Sequence, residues 1–158
     1  MNDVRIGFGY DFHKLIDGNS ITLAGCIIEC DYSVDAHSDG DVVLHALSDA
    51  IYGSIANGDI GVHFPSNNEN KDIKSTIILS HAYKLLCDSD FKINNIDITI
   101  VLESPHIRNY VDQMRKNISN YLSTEIHRVS IKSSTSQKIG LIGNNQAIAC
   151  YVSILVKK

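Results

Sequence analysis

Asp11, His13 and His45 are the three side chains whose types and spacing could do chemistry together. Asp11 and His13 stand two residues apart, and on an extended strand that spacing puts a carboxylate and an imidazole on one face. His45 falls within AHSDGDVVLHALSDA, where a turn rich in Gly and Asp feeds an apolar-periodic stretch that reads as a helix. One carboxylate with two imidazoles suits Zn2+, and three protein ligands leave a fourth position for water or a substrate oxygen, as in catalytic zinc sites. Asp11 and His13 alone fit an ordinary polar strand end; ligands arriving from two separate elements are what make the pattern a metal site.

Other chemistry-bearing positions admit two readings each. Asp49, one helical turn beyond His45, could hold the His45 ring or could be a solvated helix carboxylate. His37 and Ser38 precede the helix and could face the same cleft, or lie in a surface turn. Asp59 in Gly58-Asp59-Ile60-Gly61 could close an Asx-turn or bind substrate hydroxyls. The run Ser133-Ser134-Thr135-Ser136-Gln137-Lys138, followed by IGLIG, offers hydroxyls and backbone amides suited to phosphate, without the spacing of a P-loop.

The elements that must position these residues follow from periodicity. A first strand is expected over Val4 to Phe12, and a hairpin or bulged ribbon over Ile21 to Cys30 around Ala24-Gly25. A helix from about Asp41 to Ala56 places Val43, Leu47, Ala50, Ile51 and Ser54 on one face and Asp41, His45 and Asp49 on another. A polar stretch from Asn57 to Lys71 has the length of a functional or mobile loop. Further helices are expected at Ile73 to Cys87 and Ile107 to Leu122, with a strand at Ile96 to Leu102. Two closing strands, Val129 to Ser133 and Ala147 to Val156, look like a hairpin-like pair joined by the loop Ser134 to Gln146. The order predicts an α+β fold, a mixed β-sheet with helices packed on one face, in a single domain over residues 1–158.

A length of 158 residues with 44% hydrophobic side chains is enough for one core without disulfide support. A formal net charge of −4 argues against nonspecific binding to nucleic acid or to a membrane surface. An anionic substrate would therefore need bound cations and local backbone donors. Cys26, Cys30, Cys87 and Cys150 show no C-x-x-C pair or zinc-ribbon spacing and read as reduced thiols in a cytoplasmic protein. The first residues do not resemble a signal peptide, and no apolar run is long enough to span a bilayer.

Taken in order, the segments RIGFGYDFH, AHSDGDVVLHALSDA, GDIGVHFP, DITIVLESP and KSSTSQKIGLIG resemble the 2-C-methyl-D-erythritol 2,4-cyclodiphosphate synthase family, over about Val4 to Val156. The resemblance implies a homotrimer with active sites between subunits. It implies a zinc-type ion on Asp11, His13 and His45 that takes a diphosphate oxygen of a cytidine diphosphate-linked substrate, with His37 and Thr135 assisting the transition state. It implies contacts to the methylerythritol phosphate end from Asp11, His13, His37, Ser38, Asp59, Ile60 and Gly61, and from Phe64, Pro65, Ser66, Asn67 and Asn68. It further implies that Leu102, Glu103, Ser104, Pro105, His106, Ile107 and Arg108 embrace the cytidine diphosphate portion together with Ser134, Thr135, Ser136 and Gln137, and that Leu141 and Asn144 contribute from the last loop.

Three positions depart from that family's pattern. Gln137 replaces a glutamate that helps bind a second ion, Mg2+ or Mn2+, so weaker binding is expected there. Ser66 replaces an acidic residue after the Phe-Pro pair, and Asn144 replaces an arginine associated with isoprenoid diphosphates in a central cavity. The reaction implied is attack of a 2-phosphate oxygen on a β-phosphorus with expulsion of CMP. Its difficulty is electrostatic and geometric, since two phosphates that repel each other must be brought in line. Two other classes use the same features: a metal-dependent phosphohydrolase that activates water at the open ion position, and a noncatalytic nucleotide-binding trimer.

Overall fold

In the computed structural model, residues 3–36, 38–65 and 73–158 are described. Strand β1 (Val4–Asp17) alternates from Ile6 to Ile16, and two of its inward positions, Gly7 and Gly9, have no side chain at all. A Cβ at Gly7 would lie 1.8 Å from the carbonyl oxygen of Ala50, and one at Gly9 would lie 1.8 Å from that of Ala46. Helix α1 (Val42–Ser54) therefore rests directly on the backbone of β1, closer than any side chain would allow.

The main sheet has five strands in the order β4-β1-β7-β5-β6. Strand β7 (Ala147–Lys157) runs antiparallel to both β1 and β5 (Lys92–Val101), while β6 (Val129–Ser134) runs parallel to β5. The expected closing hairpin is not formed: β5 lies between β6 and β7. Its physical reason is the helix α4 (Val111–Tyr121) between β5 and β6, a crossover long enough to make neighbouring strands parallel. A short strand β4 (Tyr32–Asp35), absent from the sequence reading, pairs with Lys14 to Asp17, so β1 extends five residues beyond the expected end at Phe12. Strand β5 likewise begins at Lys92 rather than Ile96, with a register shift between Ile93 and Asn95.

The ribbon expected around Ala24-Gly25 is present as β2 (Ser20–Leu23) and β3 (Cys26–Glu29), joined by a two-residue turn with positive φ at both Ala24 and Gly25. Ala24 is held in that costly conformation by Asp41, whose carboxylate accepts the N–H groups of Ala24 (2.9 Å) and Gly25 (2.7 Å). The same carboxylate caps α1 by accepting from Val43 and Leu44. Burial pushes the Asp41 carboxyl up to about 6, and the backbone donors of Gly25, Ala24 and Leu44 oppose that rise.

Helices α1, α3 (Ser75–Asp88) and α4 cover one face of the sheet, as expected. Leu44, Leu47 and Ile51 of α1, Leu79 and Leu86 of α3, and Met114 and Ile118 of α4 meet Ile98, Ile100, Val152 and Ile154 from the strands. The expected division of α1 into a core face and a ligand face does not hold. Residues Val42 to Ser48 are all buried, because the sheet lies under the helix and α3 and the β2–β3 ribbon close its other sides. The polar stretch 57–65 contains one short helix, α2 (Ile60–His63). All four cysteines are free thiols, and among the described residues no helix is long and apolar enough to cross a membrane.

Candidate metal centre and surrounding site

The close seating of α1 on β1 brings His45 over the part of the strand that carries Asp11 and His13, four to six residues before its end at Asp17. Asp11 Oδ2 lies 2.9 Å from His13 Nε2 and 3.0 Å from His45 Nδ1, and the two ring nitrogens are 3.3 Å apart. Donor atoms at the corners of a tetrahedral zinc site, with bonds of about 2.0–2.1 Å, stand about 3.3 Å from one another. The three groups fit such an ion with only a slight opening, and among the described residues this is the one cluster with metal-binding geometry. Its donor set of one carboxylate and two imidazoles leaves a ligand position open.

Electrostatics reinforce the cluster. Burial would raise the Asp11 carboxyl, but hydrogen bonds from His13 and His45 outweigh it and hold the group well below the usual carboxylate range. For His45, burial acts to lower the pKa, yet the hydrogen bond to Asp11 and its charge, with Asp41 and Asp39 behind, raise it.

The far side of the His45 ring has partners of its own. Ser75 Oγ, at the first turn of α3, lies 2.9 Å from His45 Nε2, and Ser38 Oγ lies 3.3 Å from the same nitrogen. Ser75 donates its hydroxyl proton to Asp39, whose second oxygen accepts the Ser75 backbone N–H at 3.1 Å. With its proton given to Asp39, Ser75 accepts from Nε2–H, which leaves Nδ1 to face Asp11, His13 and an ion. Ser75 and Asp39 were not singled out from the sequence; a serine opening a helical stretch has an ordinary capping explanation.

Asp49 plays neither expected part. Its carboxylate accepts the backbone N–H of Ile60 at 2.8 Å, tying α2 to α1 instead of holding the His45 ring or facing solvent. Asp59 caps α2, accepting from Val62 N at 3.0 Å, as the Asx-turn reading anticipates. Ile60, Gly61 and Phe64 follow directly, with Pro65 beyond them, so this segment approaches the metal-ligand helix through Asp49. His37, Ser66, Asn67 and Asn68 lie outside the described residues.

A second group assembles at the ends of the parallel pair β5 and β6. Leu102 N–H donates to Ser134 O at 3.1 Å, and Glu103 accepts the backbone N–H of Lys138 at 3.3 Å. Ser104 donates to Asn145 Oδ1 at 3.0 Å, Thr135 Oγ1 accepts from Gln137 N at 3.3 Å, and Ser136 donates to Ile139 O. Pro105, His106, Ile107 and Arg108 continue the first loop, while Leu141 and Asn144 stand in the short helix α5 (Gly140–Gly143) and at its end. The register across the sheet runs Phe12 to Ala149 to Val101 to Ser134. Both groups thus lie at the same end of the sheet, three strand spacings or about 14 Å apart.

The family profile of the YgbB family matches residues 4–157. The chain belongs to the YgbB family. Among curated relatives, the 2-C-methyl-D-erythritol 2,4-cyclodiphosphate synthase of Brachyspira hyodysenteriae is 43% identical over 156 residues, covering 98% of this chain and 99% of that protein. Solved structures are similar over the whole chain. The bifunctional IspDF of Campylobacter jejuni superposes with a TM-score of 0.95 at 33% identity, covering 99% of this chain, which spans 43% of that longer protein. The IspF of Plasmodium falciparum in complex with CDP gives a TM-score of 0.88 at 36% identity, covering 99% of this chain and 97% of that one.

Proposed function

We propose that this YgbB-family chain is a lyase of the non-mevalonate isoprenoid pathway that closes 4-diphosphocytidyl-2-C-methyl-D-erythritol 2-phosphate to 2-C-methyl-D-erythritol 2,4-cyclodiphosphate and releases CMP. The observation that carries this reading is the convergence of Asp11, His13 and His45, in a chain whose whole length matches synthases of that name. In the step itself, a 2-phosphate oxygen forms a bond to the β-phosphorus, the bond from that phosphorus to the bridging oxygen breaks, and CMP leaves with the electron pair. The nucleophile is already an anion, so the protein needs to align and neutralise rather than deprotonate.

A divalent ion held by Asp11, His13 and His45, with Zn2+ as the fitting species, would offset charge on the diphosphate oxygens. Ser38, Asp59, Ile60, Gly61 and Phe64 serve the methylerythritol phosphate end, with Pro65, Ser66, Asn67 and Asn68 extending it. The loop Leu102 to Arg108 and the run Ser134 to Gln137 take the cytidine diphosphate portion, flanked by Leu141 and Asn144. His37 and Thr135 assist charge development, and Gln137 would help hold a second ion, Mg2+ or Mn2+, that offsets phosphate charge. The reading places the enzyme in the cytoplasm, consistent with four free thiols.

The active form in this reading is a homotrimer, with the two contact groups contributed by neighbouring subunits. Support comes from the sheet face that no helix covers. Ile6 (78% exposed), Phe8 (63%), Tyr10 and Phe12 line it on β1, with Tyr151 of β7 beside them at ring distances of 6.5 Å to Phe8 and 5.1 Å to Tyr10. A contiguous apolar and aromatic stripe of this kind marks an interaction surface.

The deciding experiment incubates purified protein with the substrate and defined divalent ions and follows phosphorus NMR. Cyclic diphosphate plus CMP is the expected product, and exhaustive chelation abolishes it. An open-chain bisphosphorylated polyol would instead identify a hydrolase, and CDP binding without CMP release a noncatalytic module.

A further inference from the structure

Three rings that the reaction leaves unassigned, Tyr52, His63 and His81, join three helices beside the segment Asp59 to Gly61 and pack against the substrate-contacting Phe64. Tyr52 of α1 is fully buried, and its Oη lies 2.8 Å from His81 Nδ1 on α3. His63, the last residue of α2, stacks on Tyr52 with ring centroids 4.4 Å apart and planes at 21°. His81 lies 5.0 Å from the His63 ring and meets Phe64 edge-on at 5.2 Å and 83°. His63 Nε2 is fixed in turn, donating to the carbonyl of Asn57 at 2.8 Å.

Helix α2 needs such support. A single turn of four residues cannot sustain itself, because forming the first turn of a helix costs more than its hydrogen bonds return. Its first residue is held by Asp49, which accepts Ile60 N–H, and its last by the ring cluster. Every other aromatic contact of the cluster passes through His81, which touches Tyr52, His63 and Phe64 at once. Burial, with His63 and Lys84 nearby, lowers the pKa of His81, so the ring packs as a neutral group.

We propose that His81 is a positioning residue for substrate binding: by bracing Tyr52, His63 and Phe64 it holds Asp59, Ile60 and Gly61 where they receive the methylerythritol phosphate end. The assignment rests on the cyclase reading above. His81 touches no reacting atom in it, and its loss acts on binding rather than on the phosphoryl step.

Removing His81 alone would leave the buried Tyr52 hydroxyl without its partner, so the test is built on Tyr52→Phe, which removes that hydroxyl. Two double variants are compared with Tyr52→Phe itself: one adds His81→Ala, the other His81→Phe. With Ala at position 81, KM for the substrate rises roughly tenfold while kcat stays within about twofold, the signature of lost uniform binding. Zinc content matches the unaltered protein. With Phe at position 81, a ring is returned against His63 and Phe64, and KM falls back to within about twofold of Tyr52→Phe.

An unchanged KM with Ala at position 81 overturns the proposal, as does a KM that Phe fails to rescue or a fall in kcat that tracks lost zinc. If the unaltered protein forms no cyclic diphosphate with any divalent ion, the cyclase reading falls instead.

Discussion

Ser75 Oγ lies 2.9 Å from His45 Nε2, on the side of the imidazole away from Asp11 and His13. The contact decides which ring nitrogen is available to an ion. Ser75 gives its own proton to Asp39, so the only proton left for that contact is the one on Nε2, and Nδ1 is the atom left available to an ion. Asp39, from the turn before α1, and Ser75, from the start of α3, thus set the orientation of a ligand that neither of them touches through the ion.

Replacing Ser75 with Ala should therefore weaken zinc binding about 10- to 100-fold, the usual cost of losing a group that orients a ligand from behind. Competition against a chelator of known affinity measures it. Ser38→Ala, whose hydroxyl is 3.3 Å from the same nitrogen, should cost less. Equal affinity in Ser75→Ala and the unaltered protein would show that packing alone orients His45.

Stability should respond to pH in opposite directions with and without the ion. In the metal-free protein His45 is raised above its ordinary 6.5 by Asp11, so its contribution is complete below that value and fades as pH rises through the folded value. Asp11 is lowered from 3.8, so its contribution is present above that value and is lost only as pH falls through its depressed folded value. The metal-free Tm should consequently decline as pH rises above about 6.5. Zinc binding requires the neutral imidazole of His45, so the zinc-loaded Tm should rise as pH rises through the same region. Thermal melts at matched ionic strength, with and without zinc, would show the two trends converging towards acid pH.

The seating of α1 on β1 is testable at Gly9. A methyl group there would stand 1.8 Å from Ala46 O, and the obstacle is backbone rather than a flexible side chain. Gly9→Ala must lift the helix that carries His45 away from the strand that carries Asp11. The expected loss is about 3 kcal/mol or more of stability in urea titration, at the upper end for overpacking. Zinc affinity should fall with it, because the displacement separates the ligands.

How much of this was legible beforehand depended on whether a residue's role was written in its own neighbourhood. Asp11 and His13 share a strand face by their spacing, and His45 follows a clear helix start, so the triad could be read from local pattern. The glycines at 7 and 9 carried a readable signal too, since glycine at alternate strand positions marks close backbone approach. Ser75 and Asp39 could not be read, because their function depends on α3 meeting the turn before α1, 36 residues apart. Asp49 was misread for a similar reason: its i,i+4 relation to His45 is real, but Ile60 N–H offers a donor without a partner in α2 and takes the carboxylate first. The pairing of β6 and β7 failed because neighbours in sequence are the common case, and only the parallel crossover through α4 reveals that β5 intervenes.

Gln137 sits at positive φ, next to Thr135 Oγ1, which accepts its backbone N–H. An amide oxygen can ligate a hard cation but adds no charge to hold it. Gln137→Glu should lower the Mg2+ concentration needed for half-maximal turnover, by roughly tenfold for one added charge on a partly screened ion. A Mg2+ titration of initial rate at fixed zinc gives the comparison, and an unchanged midpoint would place the second ion elsewhere.

Zinc binding and catalysis should separate at Phe8. Along β1, side chains alternate between the helix layer, where Asp11 and His13 point, and the bare face, where Ile6, Phe8, Tyr10 and Phe12 point. A charge at position 8 therefore cannot reach the metal ligands, yet it would be buried without a partner in any interface built on that face. Phe8→Glu should convert the assembly to monomers in sedimentation velocity while zinc affinity stays within about twofold, since the triad belongs to one chain. Turnover should be lost along with assembly, because the loops at the ends of β5 and β6 serve a neighbouring subunit's ion in the trimeric reading. A monomeric Phe8→Glu variant with full activity would mean instead that the 14 Å or so between the two groups is bridged by substrate within a single chain.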